Sequence, residues 1–128
     1  MKKILLIDDD EDYSQIVRMR LQKEGYQVEW APSGDQAVQV LEKDLGYDLI
    51  ILDVEMPERN GMATLAHLRG HFEKKPGGFN IPIIIATGLV SARLRDIFTS
   101  QKVADYIQKP FEPSDLIGKI EKITVKKR

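Results

Sequence analysis

Three short apolar runs constrain the fold more than anything else in the chain: Ile4-Leu5-Leu6-Ile7, Leu49-Ile50-Ile51-Leu52 and Ile83-Ile84-Ile85-Ala86. None alternates apolar with polar residues, so a strand built from any of them must be covered on both faces. That is the situation of parallel strands in a sheet layered between helices. Residues 27–31 and 104–108 read as weaker strands. Between the runs, Ile16, Val17, Met19 and Leu21 predict one helix, and Ala37, Val38 and Leu41 behind a capping Ser33 predict a second. Leu65 with Leu68 marks a third helix. A fourth is predicted over about 91–100, and a fifth starts at Pro113 and buries Leu116, Ile117, Ile120 and Ile123. The pattern is (βα)5, an α/β fold around a five-stranded parallel sheet.

A chain of 128 residues buries about two-thirds of its surface on folding, enough for one core without staples. Residues 1–128 are therefore expected to form a single domain. The stretch Glu73-Lys74-Lys75-Pro76-Gly77-Gly78 is read, within 72–80, as an exposed loop and not a linker, because neither side closes a core alone. Nineteen basic residues against 20 acidic ones, a net charge of -1, argue against a nucleic-acid partner. The absence of cysteine excludes disulfides, thiolate zinc sites and cysteine nucleophiles. No apolar run approaches the length of a membrane span, so the expectation is a soluble, cytoplasmic protein with no membrane partner.

In an open α/β sheet, ligands bind beyond the carboxyl ends of the strands. Here those ends are acidic: Asp8, Asp9, Asp10, Glu11 and Asp12 follow the first run, and Asp53 closes the third. The helix dipole accounts for the acidic start of the first helix at Asp10 to Asp12. Asp8 and Asp9 are left over. Brought together with Asp53 they would repel one another unless a cation were bound, and a hard divalent ion suits oxygen ligands. An EF-hand loop starting at Asp8 fails, because it would need glycine at Tyr13 and glutamate at Met19. A haloacid-dehalogenase-type phosphatase would use Asp8 and Asp10 but has Thr or Val where Asp12 stands, and it typically needs a longer chain. No glycine-rich phosphate loop occurs.

The other strand ends carry Thr87 and Gly88, and Lys109-Pro110-Phe111. Taken in order, Ile4 to Asp9, Asp53-Val54-Glu55-Met56-Pro57 with Asn60-Gly61, Ala86-Thr87, and Tyr106 to Phe111 resemble the receiver domain of two-component response regulators over essentially the whole chain. The resemblance implies a doubly wound, flavodoxin-like fold with strand order 2-1-3-4-5. It implies that Asp53 accepts a phosphoryl group from a sensor histidine kinase or histidine phosphotransfer protein. Mg²⁺ would be held by Asp9 and Asp53 directly, by Asp8 mainly through water, and by the backbone carbonyl of Glu55. Lys109, its ammonium aimed by a cis Lys109–Pro110 peptide, and Thr87 would contact the phosphoryl oxygens.

The same resemblance makes Thr87 and Tyr106 the switch, altering the surface of the fourth helix, fifth strand and fifth helix that binds a downstream protein or a second copy. The expected protein is thus a signalling module and not an enzyme, although it promotes its own phosphorylation and slow dephosphorylation, with Glu55 and Leu89 near the attacking water. A small Mg²⁺-dependent phosphohydrolase is the rival reading. With no output domain after the fifth helix, the chain reads as a stand-alone receiver of the chemotaxis type or one cut from a longer regulator or hybrid kinase. Its Met1-Lys2-Lys3 start favours a genuine N-terminus. Gly88, Arg59 and the length of 72–80 depart from the usual pattern. Three further features are read as bland: His67 and His71, four apart, as a solvated face, Trp30 as a partly packed strand residue, and Lys126 to Arg128 as a complement to the last helix's C-terminus.

Overall fold

The computed structural model describes residues 2–53, 61–74, 78–88 and 103–125. Along these run β1 (Lys3–Ile7), α1 (Glu11–Lys23), β2 (Gln27–Ala31), α2 (Gly34–Lys43), β3 (Leu49–Asp53), α3 (Gly61–Phe72), β4 (Ile83–Thr87), β5 (Asp105–Gln108) and α4 (Pro113–Val125). The strands form one parallel sheet in the order β2-β1-β3-β4-β5. The helix expected over 91–100 lies outside the described residues, as do 54–60 and 126–128.

The apolar runs do not alternate because each strand feeds two cores. Leu5, Ile7, Ile50, Leu52, Ile83 and Ile85 pack with Ala37 and Leu41 of α2 and with Leu65, Leu68 and Phe72 of α3. Their neighbours Ile4, Leu6, Leu49, Ile51, Ile84 and Ala86 pack with Val17 and Leu21 of α1 and with Leu116, Ile117 and Ile120 of α4. The edge strand β2 alternates as an edge strand should, leaving Gln27 and Glu29 exposed.

Helix boundaries follow local chemistry. Asp10 caps α1 by accepting the Tyr13 N–H at 3.0 Å, and Ser33 caps α2 by accepting the Gln36 N–H at 3.2 Å. Helix α1 ends where Gly25 takes φ +95°, with the Gly25 and Tyr26 N–H groups donating to the carbonyls of Gln22 and Leu21. Gly34 opens α2 where a Cβ would come within 2.9 Å of Thr64 Cγ2. Glycine there lets α2 and α3 approach closely.

One expectation needs correction. The stretch 72–80 is not simply an exposed loop. Phe72 is fully buried at the end of α3, and the Phe79 ring stacks on it at 5.9 Å, so apolar contacts tie the described ends of this segment to the core. In α1, Ile16 and Met19 have the spacing of a helix but not its buried side. They are 63% and 62% exposed, and only Val17 and Leu21 of the four are buried.

Candidate functional site

The ends of β1, β3 and β5 bring Asp8, Asp53 and Lys109 together. Asp8 is 1% exposed and Asp53 4%. Lys109 Nζ lies 3.2 Å from Asp53 Oδ2 and 3.6 Å from Asp8 Oδ2. Carboxylate oxygens of Asp8, Asp9 and Asp53 all lie within 4.8 Å of one another. Among the described residues, the Lys109 ammonium faces more carboxylate charge than it can balance. Burial raises the Asp8 carboxyl to about 6. The Asp10 N–H, donating to its Oδ1 at 3.0 Å, and the Lys109 ammonium pull it down, while Asp53 pushes it up.

Each group is placed by backbone pairing. The Asp8 N–H continues the β1–β2 ladder by donating to the Ala31 carbonyl at 3.1 Å. Asp53 ends β3 opposite Ala86 of β4, so Thr87, 1% exposed, stands one residue beyond that pair. The Lys109 N–H donates to the Thr87 carbonyl at 2.7 Å, tying the ends of β4 and β5, and the Lys109–Pro110 peptide is cis, as expected. Tyr106, half-buried, packs against the core on the α2–α3 side of the sheet. Glu55 and Leu89 fall outside the described residues.

Two further residues enter the site unannounced by the sequence. The ammonium of Lys109 lies 4.7 Å from the centre of the Tyr13 ring, which meets Phe111 edge-on at 5.8 Å. Burial and the charges of Asp8, Asp53 and Asp10 raise the Tyr13 hydroxyl to about 12. Tyr13 follows the capping Asp10 by three residues, one helical turn, and that spacing was the available signal. Trp30, half-buried on β2, donates its indole N–H to the Asp8 carbonyl at 2.7 Å. Its signal is longer in range: Trp30 pairs with Leu6, two residues before Asp8. Away from this pocket, His67 is exposed, but His71 pairs with Glu42 of α2 and so links two helices.

The donor set suits a hard cation. Its ligands are oxygens only, two of the carboxylates are buried, and Asp9 is exposed toward solvent. That arrangement leaves room for the waters and phosphate oxygens Mg²⁺ keeps in its shell.

Residues 4–121 match the response regulator receiver domain family. The chain belongs to that family: it is a receiver domain of the kind found in two-component response regulators. It is 35% identical over 123 residues to the transcriptional regulatory protein CpxR of Escherichia coli, covering 96% of this chain and 49% of that protein. The chain thus spans about half the length of the curated relatives it matches first. An uncharacterised 14.6 kDa protein of Leptolyngbya boryana is 32% identical over 118 residues, with 92% of this chain and 86% of that protein covered. Among solved structures, the chemotaxis protein CheY4 of Vibrio cholerae superposes with a TM-score of 0.85 at 28% identity, covering 96% of this chain and 98% of that one. Receiver domains are phosphoacceptor signalling modules that work with histidine kinases and phosphotransfer proteins. None of the described helices is long and apolar enough to cross a membrane.

Proposed function

We propose that residues 1–128 act as one receiver in which Asp53 accepts a phosphoryl group from a phosphohistidine of a sensor histidine kinase or histidine phosphotransfer protein. The supporting observation is the ammonium of Lys109 held 3.2 Å from Asp53 and 3.6 Å from Asp8 among buried carboxylates. An Asp53 carboxylate oxygen attacks phosphorus, the O–P bond forms, the N–P bond breaks, and its electron pair returns to the donor imidazole. Lys109 balances charge on the phosphoryl oxygens, and the Thr87 hydroxyl donates to one of them. A Mg²⁺ ion, held by Asp9 and Asp53, through water by Asp8, and by the Glu55 carbonyl, would neutralise the rest of that charge.

Drawing Thr87 inward and letting Tyr106 follow shifts the population toward a form with a changed surface over 91–100, β5 and α4. That surface binds a downstream protein or a second copy. The protein is not a turnover enzyme in this reading, and it works in the cytoplasm.

Incubation with Mg²⁺ and acetyl phosphate, followed by intact mass, tests the assignment. One added phosphate on the wild type and none on Asp53→Asn is expected. No adduct at any Mg²⁺ concentration refutes it, and multiple turnover of small phosphate esters would favour a phosphohydrolase.

A further inference from the structure

The sole tryptophan is joined to the acidic pocket through the main chain of Asp8. Its indole N–H donates to the Asp8 carbonyl at 2.7 Å. On the other side of the same residue, the Asp8 N–H donates to the Ala31 carbonyl at 3.1 Å. Adjacent residues of β2 therefore hold both backbone groups of Asp8. Because the bonded carbonyl belongs to the peptide joining Asp8 to Asp9, its orientation fixes where the exposed Asp9 carboxylate begins. The ring is itself held: it packs with the core under α1, and the Arg18 guanidinium carbon lies 4.8 Å from its centre. Arg18 is steadied in turn by its Nε–H, which donates to the Ser14 carbonyl at 3.4 Å. An indole so clamped loses little freedom in making its hydrogen bond.

We propose that Trp30 is a positioning residue for the cation pocket, setting the affinity of Asp8, Asp9 and Asp53 for a divalent ion by fixing the peptide between Asp8 and Asp9. The inference rests on the reading of this cluster as a cation site. It assigns Trp30 no contact with the cation or the phosphoryl group. Groups that orient metal ligands commonly change affinity by about 10- to 100-fold. Trp30 acts one step further out through one hydrogen bond, so losing that bond should weaken binding about three- to tenfold.

Because the chain has one tryptophan, global replacement by β-(3-benzothienyl)alanine exchanges only the indole N–H for sulfur at constant shape. Trp30→Phe gives the coarser change. Binding of Mn²⁺, and its displacement by Mg²⁺, is read from the signal of free Mn²⁺ in electron paramagnetic resonance, beside thermal unfolding of each protein without metal. The expected result is about three- to tenfold weaker binding in the benzothienyl protein, its unfolding midpoint nearly unchanged. The Mg²⁺ concentration for half-maximal phosphorylation by acetyl phosphate should rise by the same factor, with an unaltered rate at saturation. Unchanged Mn²⁺ affinity in the benzothienyl protein overturns the proposal, even if Trp30→Phe binds less well, because only shape would then matter. Absence of Mn²⁺ binding by the wild type overturns it too. Wild type that binds Mn²⁺ but forms no phosphoadduct refutes the phosphoacceptor reading and leaves the role of Trp30 to be decided by the affinities.

Discussion

Replacing Lys109 by methionine keeps an unbranched stem beside Tyr13 but removes an ammonium that faces both Asp8 and Asp53. At an effective dielectric constant of about 20, charges 3.2 and 3.6 Å apart attract by roughly 5 kcal/mol each before desolvation is charged against them. Removing one member of a buried pair costs about 3–5 kcal/mol net. The Lys109 side chain is 18% exposed, which places the expected loss near the lower end, about 3 kcal/mol at about pH 7.5 without divalent ions. The loss should depend on pH. Burial raises Asp8 from 3.8 to about 6, so across that window the folded chain keeps a proton the unfolded chain has lost. In the wild type this contribution is most favourable at the acid end and is lost as pH rises through 6. Below that value Asp8 is neutral and one of the two attractions is already absent, so at about pH 5 Lys109→Met should cost roughly half as much. Urea denaturation of both proteins in chelator at the two pH values measures this, and added Mg²⁺ should shrink the loss by supplying the missing charge. A cost below about 1 kcal/mol at the higher pH, or the same cost at both, would refute the claim that Lys109 compensates both carboxylates.

Thr64 Oγ1 is buried with no hydrogen-bond partner among the described residues, so Thr64→Val should stabilise the protein by about 1 kcal/mol in urea denaturation with an unchanged slope. Gly34→Ala, whose Cβ would meet the Thr64 side chain at 2.9 Å, should cost about 1–3 kcal/mol, and adding Thr64→Ala should recover part of it in a double-mutant cycle. Truncating the fully buried Phe72 to alanine should cost about 3–5 kcal/mol, where an exposed loop residue would cost almost nothing. For the phosphorylated form, Leu89→Glu should speed decay in excess Mg²⁺ by offering an acceptor that orients the attacking water, and identical decay of both proteins would remove that role.

What could be read from the chain was what each strand settles on its own. Double-sided burial of β1, β3 and β4 follows from runs without a polar member, and Asp8, Asp53 and Lys109 are found at strand ends because each follows directly on such a run or, for Lys109, on the weaker fifth strand. The loop reading of 72–80 fell short at Phe72 and Phe79 for a reason visible in its composition. Lysine, proline and glycine dominate its middle, yet Leu65, Leu68 and Phe72 fall at the i, i+3, i+7 positions of one helical face, and that periodicity outweighs the neighbouring loop residues because burying an aromatic ring contributes more than local turn preference. Ile16 and Met19 mark α1 as a helix yet lie on its exposed side, since periodicity marks a helix but not which of its apolar residues face inward. Trp30 lay beyond local reading altogether. Its hydrogen bond to Asp8 exists only because β2 pairs with β1 in a register that sets Trp30 beside Leu6 and Ala31 beside Ile7, and moving β2 by one residue would turn the indole to the opposite face of the sheet. The carboxylates of the pocket are thus written in short runs, whereas the group that orients them is fixed by the pairing of two strands.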